Sequence, residues 1–193
     1  MTGEDEVDEI VAAWQRERPD LDVAPLEVLS RLDRLASVLG ARRAQTFARH
    51  DLRHHEFDVL AALRRAGEPF QLTAGELAAA THVTSGTMTS RIDGLAKRGL
   101  VTRAPDLDDG RLVRIALTAT GRAQVDLAFA ELLAAEKELL APLAPSSLGP
   151  LADALRVLLA RASVADPPAT DLSGGSPQPP PRASSDPSAR IVP

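Results

Sequence analysis

The order of structural elements in this chain is set by the stretch TAGELAAATHVTSGTMTSRIDGLAKRGLVTRAPDLDDGRLVRIALT, residues 73–118. Thr73, followed three residues later by Glu76, is the capping-box pattern that begins a helix. After a turn at residues 81–83, a second helix is predicted over about 84–98. Alternating apolar residues then predict strands at 100–104 and 111–117, joined as a hairpin. Two short helices followed by a hairpin predict a winged helix-turn-helix unit.

The second helix of this unit has two chemically different faces. Met88, Ile92 and Leu95 recur at helical spacing and predict a buried face. The opposite face carries small and hydroxyl-bearing residues with almost no apolar bulk, so it can lie flat in a DNA major groove. The predicted DNA-binding residues of this helix are Thr84, Ser85, Thr87, Thr89, Ser90, Lys97 and Arg98.

The residues at the two ends of this helix also have simpler interpretations. Thr84 and Ser85 can merely begin the helix, although a capped helix start is also suited to binding a phosphate. Lys97 and Arg98 contact phosphates or nothing. These alternatives stay open at the level of the sequence.

Arg111 is predicted at the tip of the hairpin, where the unit projects farthest. Its guanidinium can enter a DNA minor groove, whose negative potential attracts arginine. Alternatively it pairs with Asp108 or Asp109 on a solvated turn, a contact worth under ~1 kcal/mol. The adjacent helix-turn-helix favours the DNA contact.

Three motifs in this order resemble the MarR family of transcriptional regulators. They are EFDVLAALRRAG (56–67), VTSGTMTSRIDGLAKRGLV (83–101) and the wing pattern Asp109-Gly-Arg111 followed, after five residues, by Leu117-Thr118. The resemblance covers roughly residues 4–162. It is particularly to the branch with an extra N-terminal helix that responds to urate, xanthine or trans-aconitate. It implies a homodimeric repressor that a small organic anion releases from a pseudo-palindromic operator.

The resemblance also implies a ligand pocket. In that branch the pocket is built from a tryptophan on the extra helix, an acid on the helix before the winged unit, and arginines on the recognition helix and first wing strand. The residues that match these positions are Trp14, Asp58, Arg91 and Arg103. The sequence pattern places all four to point inward, and we expect an Asp58–Arg91 ion pair. Alternatively, the four form structural ion pairs and a core contact.

The chain departs from the family pattern at two glycines. Gly110 stands in the wing where arginine is usual, and Gly94 stands in the recognition helix where many relatives carry a larger residue. These departures concern the identity of the ligand and the affinity for DNA more than the existence of the pocket.

Helices are predicted on both sides of the winged unit, giving a mainly α fold with a small β-hairpin wing. Apolar residues at helical spacing indicate helices over 4–18, 25–49, 54–66, 118–140 and 146–162. The last repeats leucine at alternating three- and four-residue spacing, which is typical of a seam for a partner helix. The alternative is that the terminal helices pack only within their own chain.

We divide the chain into five regions on these patterns. An extra N-terminal helix occupies 1–20 and a dimerisation or scaffold helix 21–53. The winged helix-turn-helix covers 54–118, and C-terminal dimerisation helices cover 119–163. The remaining 164–193 holds eight of the 15 prolines with no aromatic residue, so we expect a disordered tail.

Composition narrows the class of function. The chain has no cysteine, which excludes a disulfide framework and a thiolate metal site. It has no apolar run that could span a membrane and an acidic N-terminus, so we expect a cytoplasmic protein. The net charge is −5, yet residues 84–114 hold six basic and four acidic side chains. The basic excess is thus confined to the predicted DNA-binding region.

No pattern in the sequence points to catalysis. There is no Ser/His/Asp arrangement, glycine-rich phosphate loop or metal-ligand spacing, so we predict neither an enzyme nor a cofactor or metal site. The alternative to a DNA-binding regulator is a winged-helix module that binds a protein partner, with DNA binding incidental.

Overall fold

The computed structural model describes residues 3–106 and 112–165, which contain seven helices and three short strands. The helices are α1 (Glu6–Glu17), α2 (Ala24–Arg49), α3 (His54–Arg65), α4 (Ala74–Thr81), α5 (Ser85–Lys97), α6 (Ala119–Leu140) and α7 (Pro145–Ala165). The strands are β1 (Gln71–Thr73), β2 (Val101–Pro105) and β3 (Val113–Leu117). The elements from α1 to α6 belong to one compact unit, and α7 belongs to a second.

The helix-turn-helix forms where the sequence predicts it. The Thr73 hydroxyl accepts the Glu76 N–H at 3.2 Å and the Glu76 carboxylate accepts the Thr73 N–H at 2.7 Å, so the capping box that begins α4 is confirmed. His82 ends α4 in a left-handed conformation with φ of 53°. Thr84 then caps α5. The turn between the helices is therefore short and well defined.

Helix α3 lies at the centre of the core and packs against α2, α4, α5 and α6. Its buried residues include Val59, Leu60 and Leu63, none of which is exposed to solvent. The predicted buried face of α5 is confirmed, because Met88, Ile92 and Leu95 are at most 1% exposed and belong to the same core. One face of α5 is thus packed into the core.

The wing is part of a three-stranded antiparallel sheet with the order β1-β3-β2. In β2 and β3, Val101 pairs with Leu117 and Pro105 with Val113, which confirms the predicted hairpin with slightly shifted ends. Strand β1 was not predicted. It has only three residues with no alternation of its own, and it forms because β3 offers a free edge.

A close approach of backbones joins the start of α6 to the end of the recognition helix. The Thr118 hydroxyl donates to the Gly99 carbonyl at 2.8 Å and accepts the Gly121 N–H at 2.9 Å. A Cβ at Gly121 would lie 2.0 Å from the Leu100 carbonyl oxygen. Gly99 itself has φ of +68°. Glycine is required at 121 by space and favoured at 99 by conformation.

Helix α1 is attached to α2 by two apolar residues and an ion-pair cluster. Val7 and Val11 are buried. Arg31 of α2 contacts Asp5 at 2.8 Å and Asp8 at 2.7 Å. Trp14 is 50% exposed, so the expectation that it points inward is wrong in this chain. The burial that the helical spacing predicts falls on the two valines instead.

The long helices expose apolar side chains. In the first unit, α2 and α6 expose Val28, Leu35, Val38, Phe129 and Leu133. Within α7, the residues of the leucine seam are Leu148, Leu151, Leu155 and Leu158; all are exposed except Leu155, which is half-buried. Helix α7 continues to Ala165, so the predicted boundary of the tail at 164 is two residues too early. The rest of the predicted tail lies outside the described residues.

None of the helices in the described ranges is both long and apolar enough to cross a lipid bilayer.

Candidate nucleic-acid interface

The face of α5 opposite the core is a continuous polar surface. All five of its predicted hydroxyl-bearing DNA contacts are exposed: Thr84, Ser85, Thr87, Thr89 and Ser90. Gly86 lies among them and adds no side chain. Because the other face of α5 is buried, this surface faces outward, and its small side chains leave room for close approach of DNA.

Hydrogen bonds within the helix already use part of this hydroxyl surface. Thr84 Oγ1 accepts the Thr87 N–H at 3.4 Å and donates to Thr87 Oγ1 at 3.0 Å. Thr89 Oγ1 donates to the Ser85 carbonyl at 3.0 Å. Among the described residues, the hydroxyls of Ser85 and Ser90 bond to no protein group, so they are the ones most available to a base or phosphate.

The two basic residues at the end of α5 have different environments. Lys97 is exposed and forms no ion pair with any described residue. Arg98 donates from Nη1 to Glu56 Oε2 at 2.9 Å and from Nη2 to Asp51 Oδ2 at 2.8 Å. Its Nη2 also donates to the Asp51 carbonyl oxygen. The guanidinium of Arg98 is therefore paired with Glu56 and Asp51, while its contact with DNA stays a prediction.

Glu56 is the acceptor that sequence reasoning missed. Its side chain is only 10% exposed. Burial alone would raise the pKa of Glu56, but the Arg53 N–H and the Arg98 guanidinium outweigh it and hold that pKa below its ordinary value. The position of Glu56 three residues after Arg53 was a usable capping signal. Nothing in the sequence pointed to its pairing with Arg98.

Two of the predicted ligand residues, Arg103 and Asp58, contact other side chains of the same chain. Arg103 Nη2 lies 2.6 Å from Asp93 Oδ1, which joins the first wing strand to the recognition helix. Asp58 Oδ2 lies 3.6 Å from His54 Nε2, one turn earlier in α3. The expected Asp58–Arg91 ion pair does not form among the described residues, and the Asp58 carboxylate lies beside His54 of its own helix instead.

The four predicted ligand residues are only partly brought together. Burial, and next the charge of Arg91, lower the pKa of His55, while the charge of Asp58 raises it, so Arg91 and Asp58 both lie close enough to act on this imidazole of α3. Arg103 reaches the same helix through Asp93. Trp14 lies on α1, which packs against α2. In the described ranges no hydrogen bond joins its side chain to the other three.

The base of the wing is fixed by a buried acid. Asp106 follows β2 with its side chain 5% exposed and pairs with Arg114 of β3. Its N–H also donates to the Leu112 carbonyl at 2.9 Å. The predicted minor-groove residue Arg111 lies outside the described residues. In residues 3–106 and 112–165, no cluster of three or more histidine and acidic side chains could hold a metal ion.

Comparison with known proteins agrees with this geometry. Residues 50–112 match the MarR family. The chain is 36% identical over 137 residues to the HTH-type transcriptional regulator PecS of Dickeya dadantii, covering 71% of this chain and 82% of that protein. It is 31% identical over 107 residues to the HTH-type transcriptional repressor YetL of Bacillus subtilis, covering 55% and 64% of the two chains.

Solved structures show the same fold. AbsC, a MarR-family transcriptional regulator from Streptomyces coelicolor, superposes with a TM-score of 0.65 at 18% identity over 75% of this chain and 98% of its own. YusO from Bacillus subtilis superposes with a TM-score of 0.57 at 21% identity, covering 74% and 99%. The polar face of α5, the wing beside it and the similarity over most of the length of PecS lead to one conclusion: the chain belongs to the MarR family of DNA-binding transcription regulators.

Proposed function

We propose that the chain acts as a homodimeric repressor in which each copy places α5 in a major groove and Arg111 in the adjacent minor groove. The observation that carries this proposal is the exposed hydroxyl surface of α5, backed by the buried Met88, Ile92 and Leu95. The two copies would read a pseudo-palindromic site with half-site centres about one helical turn, ~34 Å, apart.

The exposed apolar side chains of the long helices support the homodimer. Val28 and Leu35 of α2 and Phe129 and Leu133 of α6 are each 44–53% exposed in the single chain. Leucines of α7 are exposed as well. Exposed apolar side chains of this kind are typical of an interface, and two copies related by a twofold axis can bury them mutually.

We further propose that a small planar organic anion such as urate, xanthine or trans-aconitate releases the DNA. Arg91 supports this proposal, since it has no carboxylate partner within 4.0 Å among the described residues and so can accept an anion. Arg103 would exchange Asp93 for the same ligand, and that exchange would loosen the tie between β2 and α5. Asp58 and Trp14 complete the proposed site.

The DNA-binding proposal is tested on a duplex that the wild-type chain selects from a randomised pool. Ser90→Ala and Thr87→Val are each expected to weaken specific binding by about threefold to tenfold, because a lost contact to a base or phosphate costs ~1 kcal/mol. Ser37→Ala is the matched control on the exposed surface of α2. Equal affinity of all four proteins would contradict the placement of α5 in the groove.

A further inference from the structure

One oxygen atom joins the start of α3 to the end of α5. Glu56 Oε2 accepts the Arg53 N–H at 2.8 Å and Arg98 Nη1 at 2.9 Å. Arg98 caps the C-terminal end of α5, and its Nη2 lies 2.8 Å from Asp51 Oδ2 in the α2–α3 turn. Two segments that are distant in sequence, residues 51–56 and the end of α5, therefore meet at a single guanidinium, which we call the Arg98 clamp.

The Arg98 clamp constrains the direction of α5, which the apolar core beneath the helix does not. Apolar burial of Met88, Ile92 and Leu95 holds the helix down, but it is non-directional and permits small rotations and tilts. A guanidinium fixes two acceptors in its own plane and so constrains direction. Because Glu56 is nearly buried, loss of Arg98 would leave a desolvated carboxylate with one N–H as its remaining partner.

We propose that Arg98 is a positioning residue for DNA recognition: it sets the angle of α5 through Glu56 and does not itself contact the duplex. This inference rests on the proposed docking of α5 in the major groove. A change of angle at the clamped end of α5 moves the hydroxyl surface at the other end, so base contacts suffer first. Phosphate contacts are expected to lose less, since they carry no sequence information and are made equally on any duplex.

The alternative, in which Arg98 binds a phosphate, gives a different dependence on salt. Each phosphate contact that is lost reduces the slope of log affinity against log salt by about 1. A positioning residue lowers the affinity for the selected sequence and leaves this slope unchanged. It also lowers the ratio of specific to non-specific binding, which a general loss of stability would not do.

The experiment compares Arg98→Ala, Glu56→Gln and the double variant with the wild-type chain. Binding to the self-selected duplex and to a scrambled duplex is measured at several salt concentrations, alongside thermal unfolding. Arg65→Ala is the matched control, because Arg65 is an exposed arginine of α3 with no ion pair among the described residues. Lys97→Ala reports what loss of a phosphate contact does to the slope.

Each single clamp variant is expected to lose about tenfold in affinity for the selected duplex, with the salt slope and scrambled-duplex binding unchanged. The double variant should be no weaker than Arg98→Ala alone, because Glu56 acts through its contact with Arg98. Glu56→Gln keeps the shape of the side chain, so the test survives if Arg98→Ala does not fold.

Two results overturn the inference. A fall in slope for Arg98→Ala equal to that of Lys97→Ala would identify a phosphate contact. Full affinity of Glu56→Gln for the selected duplex would show that the clamp has no role in recognition. If Ser90→Ala and Thr87→Val also leave affinity unchanged, the proposed docking of α5 fails together with the inference. If those two weaken binding, only the inference fails.

Discussion

The carbonyl oxygen of Leu100 occupies the space that a Cβ at Gly121 would need, at a distance of 2.0 Å. Gly121→Ala must therefore push the start of α6 away from the end of the recognition helix. We expect a loss of about 2–3 kcal/mol in the free energy of unfolding, typical of overpacking against a backbone that cannot yield. Urea denaturation followed by circular dichroism measures this loss.

Gly40→Ala is the control for that substitution. Gly40 also lies within a helix, but nothing stands within 4 Å of its Cβ position. The change should stabilise the chain by about 0.5–1 kcal/mol, because alanine loses less backbone entropy in a helix. Equal destabilisation by both substitutions would mean that the contact with Leu100 is not the cause.

The buried pair at the base of the wing gives a second prediction. Asp106→Asn removes the charge that Arg114 faces, in a place where the acid is 5% exposed. We expect a loss of about 1–3 kcal/mol in stability and weaker operator binding, since the wing is no longer held at its base. Asp153→Asn removes the exposed pair with Arg156 and should change stability by less than ~0.5 kcal/mol.

Lowering the pH should weaken the attachment of α1 to α2. Hydrogen bonding to Arg31 lowers the pKa of Asp5 from 3.8 to about 2. A depressed pKa means that the stabilisation is complete above pH 3.8 and is lost as the pH falls towards about 2. Fluorescence of Trp14, the only tryptophan, should change over this range. Because Asp5 is half exposed, high salt should weaken the attachment at neutral pH as well.

The control for this prediction is Asp5→Asn, which should remove most of the fluorescence change between those two pH values. A change of the same size and midpoint in that variant would assign the transition to another carboxylate.

The ligand proposal predicts a linked change in fluorescence and DNA binding. Urate, xanthine or trans-aconitate at millimolar concentration should quench Trp14 and weaken operator binding by about fivefold to 150-fold, the usual range for coupled sites. Arg91→Ala and Arg103→Ala should each blunt both responses. Sulfate at the same ionic strength is the control for simple screening. DNA release without dependence on either arginine would move the site elsewhere.

Local sequence signals explain most of the fold that could be predicted. Two of these signals are the capping box of Thr73 and Glu76 and the spacing of Met88, Ile92 and Leu95. Each lies within one or two helical turns, so it can be recognised from the sequence alone. Strand β1 is not, because its three residues become a strand only beside β3. Trp14 shows the limit of periodicity, which marks a face of α1 without saying which residues on it are covered.

The candidate interface likewise divides into a part that the sequence predicts and a part that only the folded chain shows. The hydroxyl surface of α5 could be predicted because helix geometry alone places those residues together. The partners of its charged residues could not, since Arg98 meets Glu56 across 42 positions of sequence and Arg103 meets Asp93 across the strand–helix junction. Choosing among several nearby acids requires the distances that only the folded chain provides.

Strand β3 lies between the two other strands, and Thr73 is at once the last residue of β1, the register partner of Arg114 and the cap of α4. The sheet that carries the wing and the first helix of the DNA-binding motif thus share a residue. Slow hydrogen exchange should accordingly show that the β3 and α4 amides open in a single event and that the strand and the helix do not open separately. The base of the wing is tied to α4 in this way, so we expect the wing and α4 to approach the duplex together.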